Sequence, residues 1–192
     1  MNQFFLLISN ILVIFAFLVY IWAISKGKAK PHRTTRLVIF LLASIGTLSL
    51  FVQGSATALW LIGLSAFFSL IILILSFKYG MGGWSKLDIV CFGIALLGII
   101  IWRITNNPAL ALYSVIIADF VGFVPTIVKT YHHPQTESWH FFFIGIFASG
   151  FNLLAIQKWT FNEYSYPLYL VIIEAFMVCL ILRLTFQKLF KK

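Results

Sequence analysis

Seven long apolar stretches, with almost every charge pushed to their ends, constrain this chain more than any other feature. They run roughly over 4–24, 37–53, 57–77, 88–104, 108–129, 139–157 and 166–187. Each is long enough, or nearly so, to cross about 30 Å of hydrocarbon at about 1.5 Å rise per residue. The runs are continuously apolar rather than alternating, so membrane strands are disfavoured. Of 192 residues, 61% are hydrophobic and 10% charged, against about 45–50% and about 25% in soluble domains. That balance excludes a soluble globular enzyme, a disordered protein and a nucleic-acid-binding domain. The net charge of +9 is no nucleic-acid footprint, because its charges cluster at the ends of apolar runs.

Charge position sets an expected orientation. Lys26, Lys28, Lys30, Arg33 and Arg36 follow span 1, and Lys78 and Lys86 follow span 3. Lys129 follows span 5, and Arg183, Lys188, Lys191 and Lys192 close the chain. Only Arg103 and Lys158 stand on the other side. The positive-inside rule then puts the N-terminus outside and the C-terminus in the cytoplasm, which requires an odd number of spans. Trp22, Trp84 and Trp139 fall at cytoplasmic ends and Trp60, Trp102 and Trp159 at outer ends, as an interfacial belt would. Met1-Asn2-Gln3 lacks a positive n-region and no small-residue cleavage site follows, so span 1 reads as a retained helix. Cys91 and Cys179 lie in apolar spans and read as small packing residues.

Turn and cap residues punctuate the runs. Asn106-Asn107-Pro108 and Ser165-Tyr166-Pro167 read as helix starts, with Pro167 at the head of the last span. Gln53-Gly54-Ser55 reads as a short hairpin, and Tyr79-Gly80-Met81-Gly82-Gly83 as a flexible break. Pro125 is the one proline expected inside a helix, and therefore the one expected kink.

An internal repeat is expected. At a constant offset, Ile24, Lys26, Pro31 and Thr35 match Ile127, Lys129, Pro134 and Ser138. Further on, Gly46, Leu50 and Gln53 match Gly150, Leu154 and Gln157. Three spans need a linker helix to keep a second set of three parallel to the first, and span 4 supplies it. The expected fold is one all-α polytopic membrane domain over 1–192. Repeat 1 covers about 4–77, the linker helix about 88–104 and repeat 2 about 108–187. Parallel repeats about an axis normal to the membrane are a transporter plan.

The topology resembles the SWEET and PQ-loop superfamily. Gly122-Phe123-Val124-Pro125-Thr126-Ile127-Val128-Lys129-Thr130, followed by Pro134-Gln135-Thr136-Glu137-Ser138, is similar to its signature. There a proline kinks the first helix of each repeat, and a basic residue and a Ser/Thr follow at the cytoplasmic end. Three departures stand beside the resemblance. Thr126 follows Pro125 where a glutamine would stand, Trp22 occupies the matching place in repeat 1, and no tryptophan lies in mid-membrane. The resemblance implies a small-solute transporter working by alternating access. The superfamily also holds vitamin transporters and retention-signal receptors, so the fold does not fix the cargo.

Few polar residues remain inside the spans. Asp119 lies eleven residues into span 5, near the expected midplane. A carboxylate there costs about 2.5–3.5 kcal/mol on the mildest scale, so it must face the bundle interior, a partner or water. It shares a helical face with Val115, Gly122 and Thr126. Gly122 and Pro125 below it form the expected hinge. Glu174, about two turns into span 7, and Asn152, near the outer end of span 6, complete the expected substrate or proton pathway. Asn10 reads as glue between helices, and Ser65-x-x-x-Ser69 and Gly145-x-x-x-Ser149 as close-packing faces rather than sites. Asp88, at the start of span 4, reads as a solvated cap.

His132, His133 and His140 gather near Glu137, but an adjacent His pair before a proline lacks metal-ligand spacing. A solvated, pH-sensitive loop is the expected reading, and His32 is read the same way. No metal, no cofactor and no enzymatic activity are expected. A light-driven opsin is disfavoured, since span 7 has no mid-span lysine.

The leading expectation is a proton-coupled small-solute transporter in which span pairs 1–2 and 5–6 rock about a central cavity. The alternative is a non-transporting receptor or scaffold of the same fold, its basic first loop reading a partner or anionic lipid. Membrane lipids and a small-molecule substrate are the expected partners, and a homo-oligomer is compatible. The plasma (inner) membrane is the expected location, an organelle membrane the alternative.

Overall fold

The structure, a computed structural model, describes residues 3–52, 56–104 and 108–189. Side chains at 46, 48–52, 56–62, 102, 103, 108, 109, 111, 112, 162 and 184–189 lie outside that description. So do the Gln53-Gly54-Ser55 hairpin and the Asn106-Asn107 cap expected from sequence. The described chain is all helical: α1 (Gln3–Ser25), α2 (Arg33–Val52), α3 (Ala56–Tyr79), α4 (Lys86–Ile104), α5 (Pro108–His132), α6 (Trp139–Leu154) and α7 (Phe161–Leu189). A 3-10 turn over Pro134–Thr136 precedes α6.

Local chemistry explains the boundaries. The α1 helix ends in a Schellman motif: Gly27 sits at φ 69, Lys28 N–H donates to Ala23 O and Gly27 N–H to Ile24 O. The start of α4 is a capping box. Asp88 N–H donates to Ser85 Oγ, and Ser85 N–H donates back to Asp88 Oδ2. Pro108 opens α5, where a missing N–H costs nothing. The α7 helix starts five residues earlier than its apolar run, because Thr160 O accepts from Glu163 and Tyr164 N–H and Glu163 lies in the first turn. Pro167 is therefore inside α7 rather than at its head, and Pro125 is not the only helical proline.

The helices are apolar outward and small or polar inward. On α1, Phe4, Leu7, Ile11, Phe15, Leu18 and Trp22 form an exposed stripe, while Ser9, Ala16, Tyr20 and Ala23 are buried. On α4, Val90, Ile94, Leu97 and Ile101 are exposed against buried Cys91 and Ala95. Soluble monomers rarely expose apolar patches beyond a few hundred Å². In a bilayer the large side chains meet lipid and the small ones let helices approach. Among the described residues, Gln3–Ser25, Tyr113–His132 and Glu163–Arg183 are long and apolar enough to cross a membrane, and Gly63–Tyr79 and Trp139–Leu154 are shorter apolar helices. The fold is thus all-α and consistent with a polytopic integral membrane protein.

The chain divides into two compact units. One comprises Met1–Ala29 with Ile127–Lys192, where α6 packs on both α1 and α7. Tyr20, Ile24, Phe142 and Met177 are fully or nearly fully buried in it. The other is Lys30–Thr126, where α2 packs on α3 and α4. Its core joins Val38, Ala95, Ile99 and Ala118, ringed by Leu41, Leu42, Ile45, Phe92 and Leu96. The division falls within α5, one residue beyond Pro125.

Candidate functional site

Glu174 lies near the middle of the apolar segment Glu163–Arg183 of α7. Its carboxylate lies directly on Gly145 of α6. A Cβ built on Gly145 would stand 2.3 Å from Glu174 Oε1 and 3.0 Å from Oε2. Ser149 Oγ donates to Oε2 at 3.2 Å. Gly145 and Ser149, one turn apart, therefore form a notch that the carboxylate fills. On this small-residue face, where α6 packs on α7, the atoms nearest the Gly145 Cβ position are those of the Glu174 carboxylate. Asn152 lies on the same α6 stripe, seven residues beyond Gly145 and half-buried. Two of the three expected pathway residues thus belong to one helix pair.

Asp119 belongs to the other unit and is half-buried near the middle of α5. Below it, Gly122 meets α2: a Cβ there would stand 2.4 Å from Val38 Cγ1. The expected hinge glycine is a point of close helix contact. Pro125 follows, buried, with α5 helical on both sides of it. A proline there removes one i→i−4 hydrogen bond and weakens the helix locally.

Buried charge collects where sequence placed only loops. Lys129 Nζ pairs with Glu137 Oε1, and Tyr20 Oη donates to Glu137 Oε2 at 2.8 Å. The Lys129 and Glu137 side chains are 4% and 0% exposed. The 3-10 turn makes this geometry: Thr136 Oγ1 and N–H both donate to His133 O, and extended backbone at Glu137 directs its side chain inward. Tyr20 also stacks on Phe141, ring centroids 4.5 Å apart. Three elements meet on one carboxylate. A spacing of eight residues across a turn carries no helical signature, so sequence reading missed the pair.

The second unit has its own polar clasp. His32 Nε2 stands 3.4 Å from Asp88 Oδ1, both side chains buried. Arg33 donates to Ser76 O, Gly80 O and Gly82 O, capping the C-terminus of α3 with a cation. Met81 N–H donates to Pro31 O. The expected flexible break at Gly80–Gly83 is thus a tethered loop. Asp88 is a cap, as read, but it is buried rather than solvated, and so is His32. The Ser85-x-x-Asp88 spacing was the available signal for the cap. Its burial depended on His32, a distant partner.

His132, His133 and His140 are exposed, and among the described residues no group of three or more His, Cys, Asp or Glu converges as a metal site. Trp22, Trp84 and Trp159 are more than half exposed, in keeping with interfacial positions. Lys28 Nζ lies 4.7 Å from the Trp22 ring centroid. Comparison with protein-family models, with curated proteins and with solved structures finds no match.

Proposed function

We propose that this chain is a small-solute transmembrane transporter of SWEET and PQ-loop type. It has seven spans in a three, one, three parallel repeat, an outside N-terminus and a cytoplasmic C-terminus. The observation that carries the reading is the division of the chain inside α5, beside Pro125, with one mid-helix carboxylate in each unit. Two bodies joined through a proline-weakened helix are the part list for alternating access.

The repeat has its own support. Under the repeat offset, α1 corresponds to α5 and α6 to α2. The α1 helix packs on α6, and α5 packs on α2 through Gly122 and Val38. The first helix of each repeat thus packs on the second helix of the other. Likewise α2 packs on α3 and α6 on α7. In this reading Asp119, Glu174 and Asn152 lie along the substrate or proton pathway.

The test is flux. Full-length protein in liposomes, under an imposed pH gradient, is offered sugars, amino acids and vitamins. Transport predicts pH-dependent uptake of one class, altered by Asp119→Asn. Absence of pH-dependent flux for all three classes, or flux indifferent to Asp119→Asn, defeats the mechanism. A receptor or scaffold is the second reading, favoured by the buried charge at the connecting ends, His32–Asp88 and Lys129–Glu137–Tyr20. It predicts ligand binding without flux.

A further inference from the structure

Among the described residues, Trp84 alone outside glycine holds a positive φ, 69°. A bulky L-residue in this left-handed region crowds its Cβ against the following carbonyl. Gly82 and Gly83, at φ 73° and 105°, carry the same kind of backbone without that cost. A third glycine would have served the turn. Packing within the chain does not repay the strain, since Trp84 is 71% exposed. An exposed indole held against a backbone cost is explained by a partner outside the chain. In a membrane protein the place that suits an indole is the headgroup layer.

The neighbours of Trp84 set the chemistry of that partner. Lys78 lies in the last turn of α3 and Lys86 opens α4, and both are exposed. A cation at a helix N-terminus meets the positive end of the dipole, so Lys86 adds nothing to its own helix. Within Lys30–Thr126 the acids are Asp88 and Asp119. Asp88 is 3% exposed and stands beside His32, and Asp119 is half-buried near the middle of α5. Neither places negative charge on the surface at the α3–α4 connection. The connection is also set in advance: Arg33 holds Ser76 O, Gly80 O and Gly82 O, and Ser85 and Asp88 exchange capping bonds. A loop already ordered spends little binding energy on ordering. Beyond Lys86, Leu87, Val90, Ile94 and Leu97 run exposed along one face of α4, a track for an acyl chain.

We propose that the α3–α4 connection is a docking site for an anionic phospholipid. Trp84 sits at its headgroup level, Lys78 and Lys86 pair with its phosphate, and the exposed α4 face follows its acyl chain. The site rests on the membrane-embedded fold and holds whether or not the chain moves a solute.

Photocrosslinking of full-length protein in phosphatidylcholine liposomes tests this. The liposomes carry a minor fraction of photoactivatable phosphatidylglycerol or, separately, of photoactivatable phosphatidylcholine, and mass spectrometry locates the label. At about 1 kcal/mol per lysine, or about fivefold each, the phosphatidylglycerol probe should label residues 78–90 at least about tenfold above the phosphatidylcholine probe. Most of that preference should vanish at about 1 M salt, where the Debye length is about 3 Å. Lys78→Gln with Lys86→Gln should lower phosphatidylglycerol labelling about tenfold and leave phosphatidylcholine labelling unchanged. Trp84→Asn separates ligand from fold, because asparagine tolerates the left-handed backbone. It should unfold in detergent at or above the wild-type temperature and label at least about threefold less with phosphatidylglycerol. Equal labelling by the two probes would leave the surface to an acidic protein segment and overturn the proposal. So would labelling indifferent to the double lysine change. A Trp84→Asn variant that unfolds well below wild type would make the indole a packing residue of the loop, and the proposal would fall with it.

Discussion

Gly82 shows how a single backbone position ties one connection to another. It sits at φ 73, and a Cβ there would stand 2.2 Å from His32 Nε2. Two costs act together on Gly82→Ala: the left-handed backbone and the displacement of an imidazole held beside Asp88. The expected loss is about 2–3 kcal/mol, read as a lowered unfolding temperature in detergent. Gly93→Ala is the control, since Gly93 lies in helix α4 with nothing within 4 Å of its Cβ position, and it should be neutral or slightly stabilising. Equal effects of the two changes would show that the clasp contributes nothing. Arg33 belongs to the same residue-scale logic, because its fork reaches three carbonyls that a lysine ammonium cannot span at once.

At the scale of elements, the carboxylate of Glu137 joins α1, α5 and the turn before α6. Removing one partner of a buried pair leaves the other charge uncompensated, at about 3–5 kcal/mol, whereas removing both is often near neutral. Lys129→Met alone should therefore destabilise strongly, and Lys129→Met with Glu137→Leu should recover most of the loss. Tyr20→Phe should cost about 0.5–1.5 kcal/mol. A double-mutant cycle by thermal unfolding reads these values, and a double variant no more stable than Lys129→Met would refute the pairing account. The same elements show what a sequence discloses. Helix existence was legible, because apolar length and end charges are local properties. The cap at Ser85 and Asp88 was legible from a fixed spacing. The Lys129–Glu137–Tyr20 junction was not, since it depends on how a 3-10 turn rotates Glu137 and on a tyrosine in another helix. A small-residue stripe such as Gly145 and Ser149 does not say which atoms meet it.

At the scale of the molecule, sequence could not say which helices group together. Helices α1 and α4 both carry large apolar residues outward and small ones inward, so that pattern alone does not choose a neighbour. The grouping of α1 with α6 and α7 emerges only in three dimensions, and it leaves α5 as a helix divided between the two units. That gives the two helical prolines different expected roles. Pro125 lies beside the division, whereas Pro167 lies within α7, in one unit. Replacing either by alanine restores an N–H that can donate to the carbonyl four residues earlier, Val121 O or Glu163 O, and removes the ring clash. Each change should stabilise its helix, by up to about 3 kcal/mol. If the units move against each other through α5, only Pro125→Ala should slow flux in liposomes, because it stiffens the joint. Pro167→Ala should raise the unfolding temperature and leave flux near wild type. Equal slowing by both would mean that general rigidity, not a hinge, limits the rate. Unchanged flux in a stabilised Pro125→Ala would mean that α5 moves as one rigid rod, and the two-body mechanism would lose its joint.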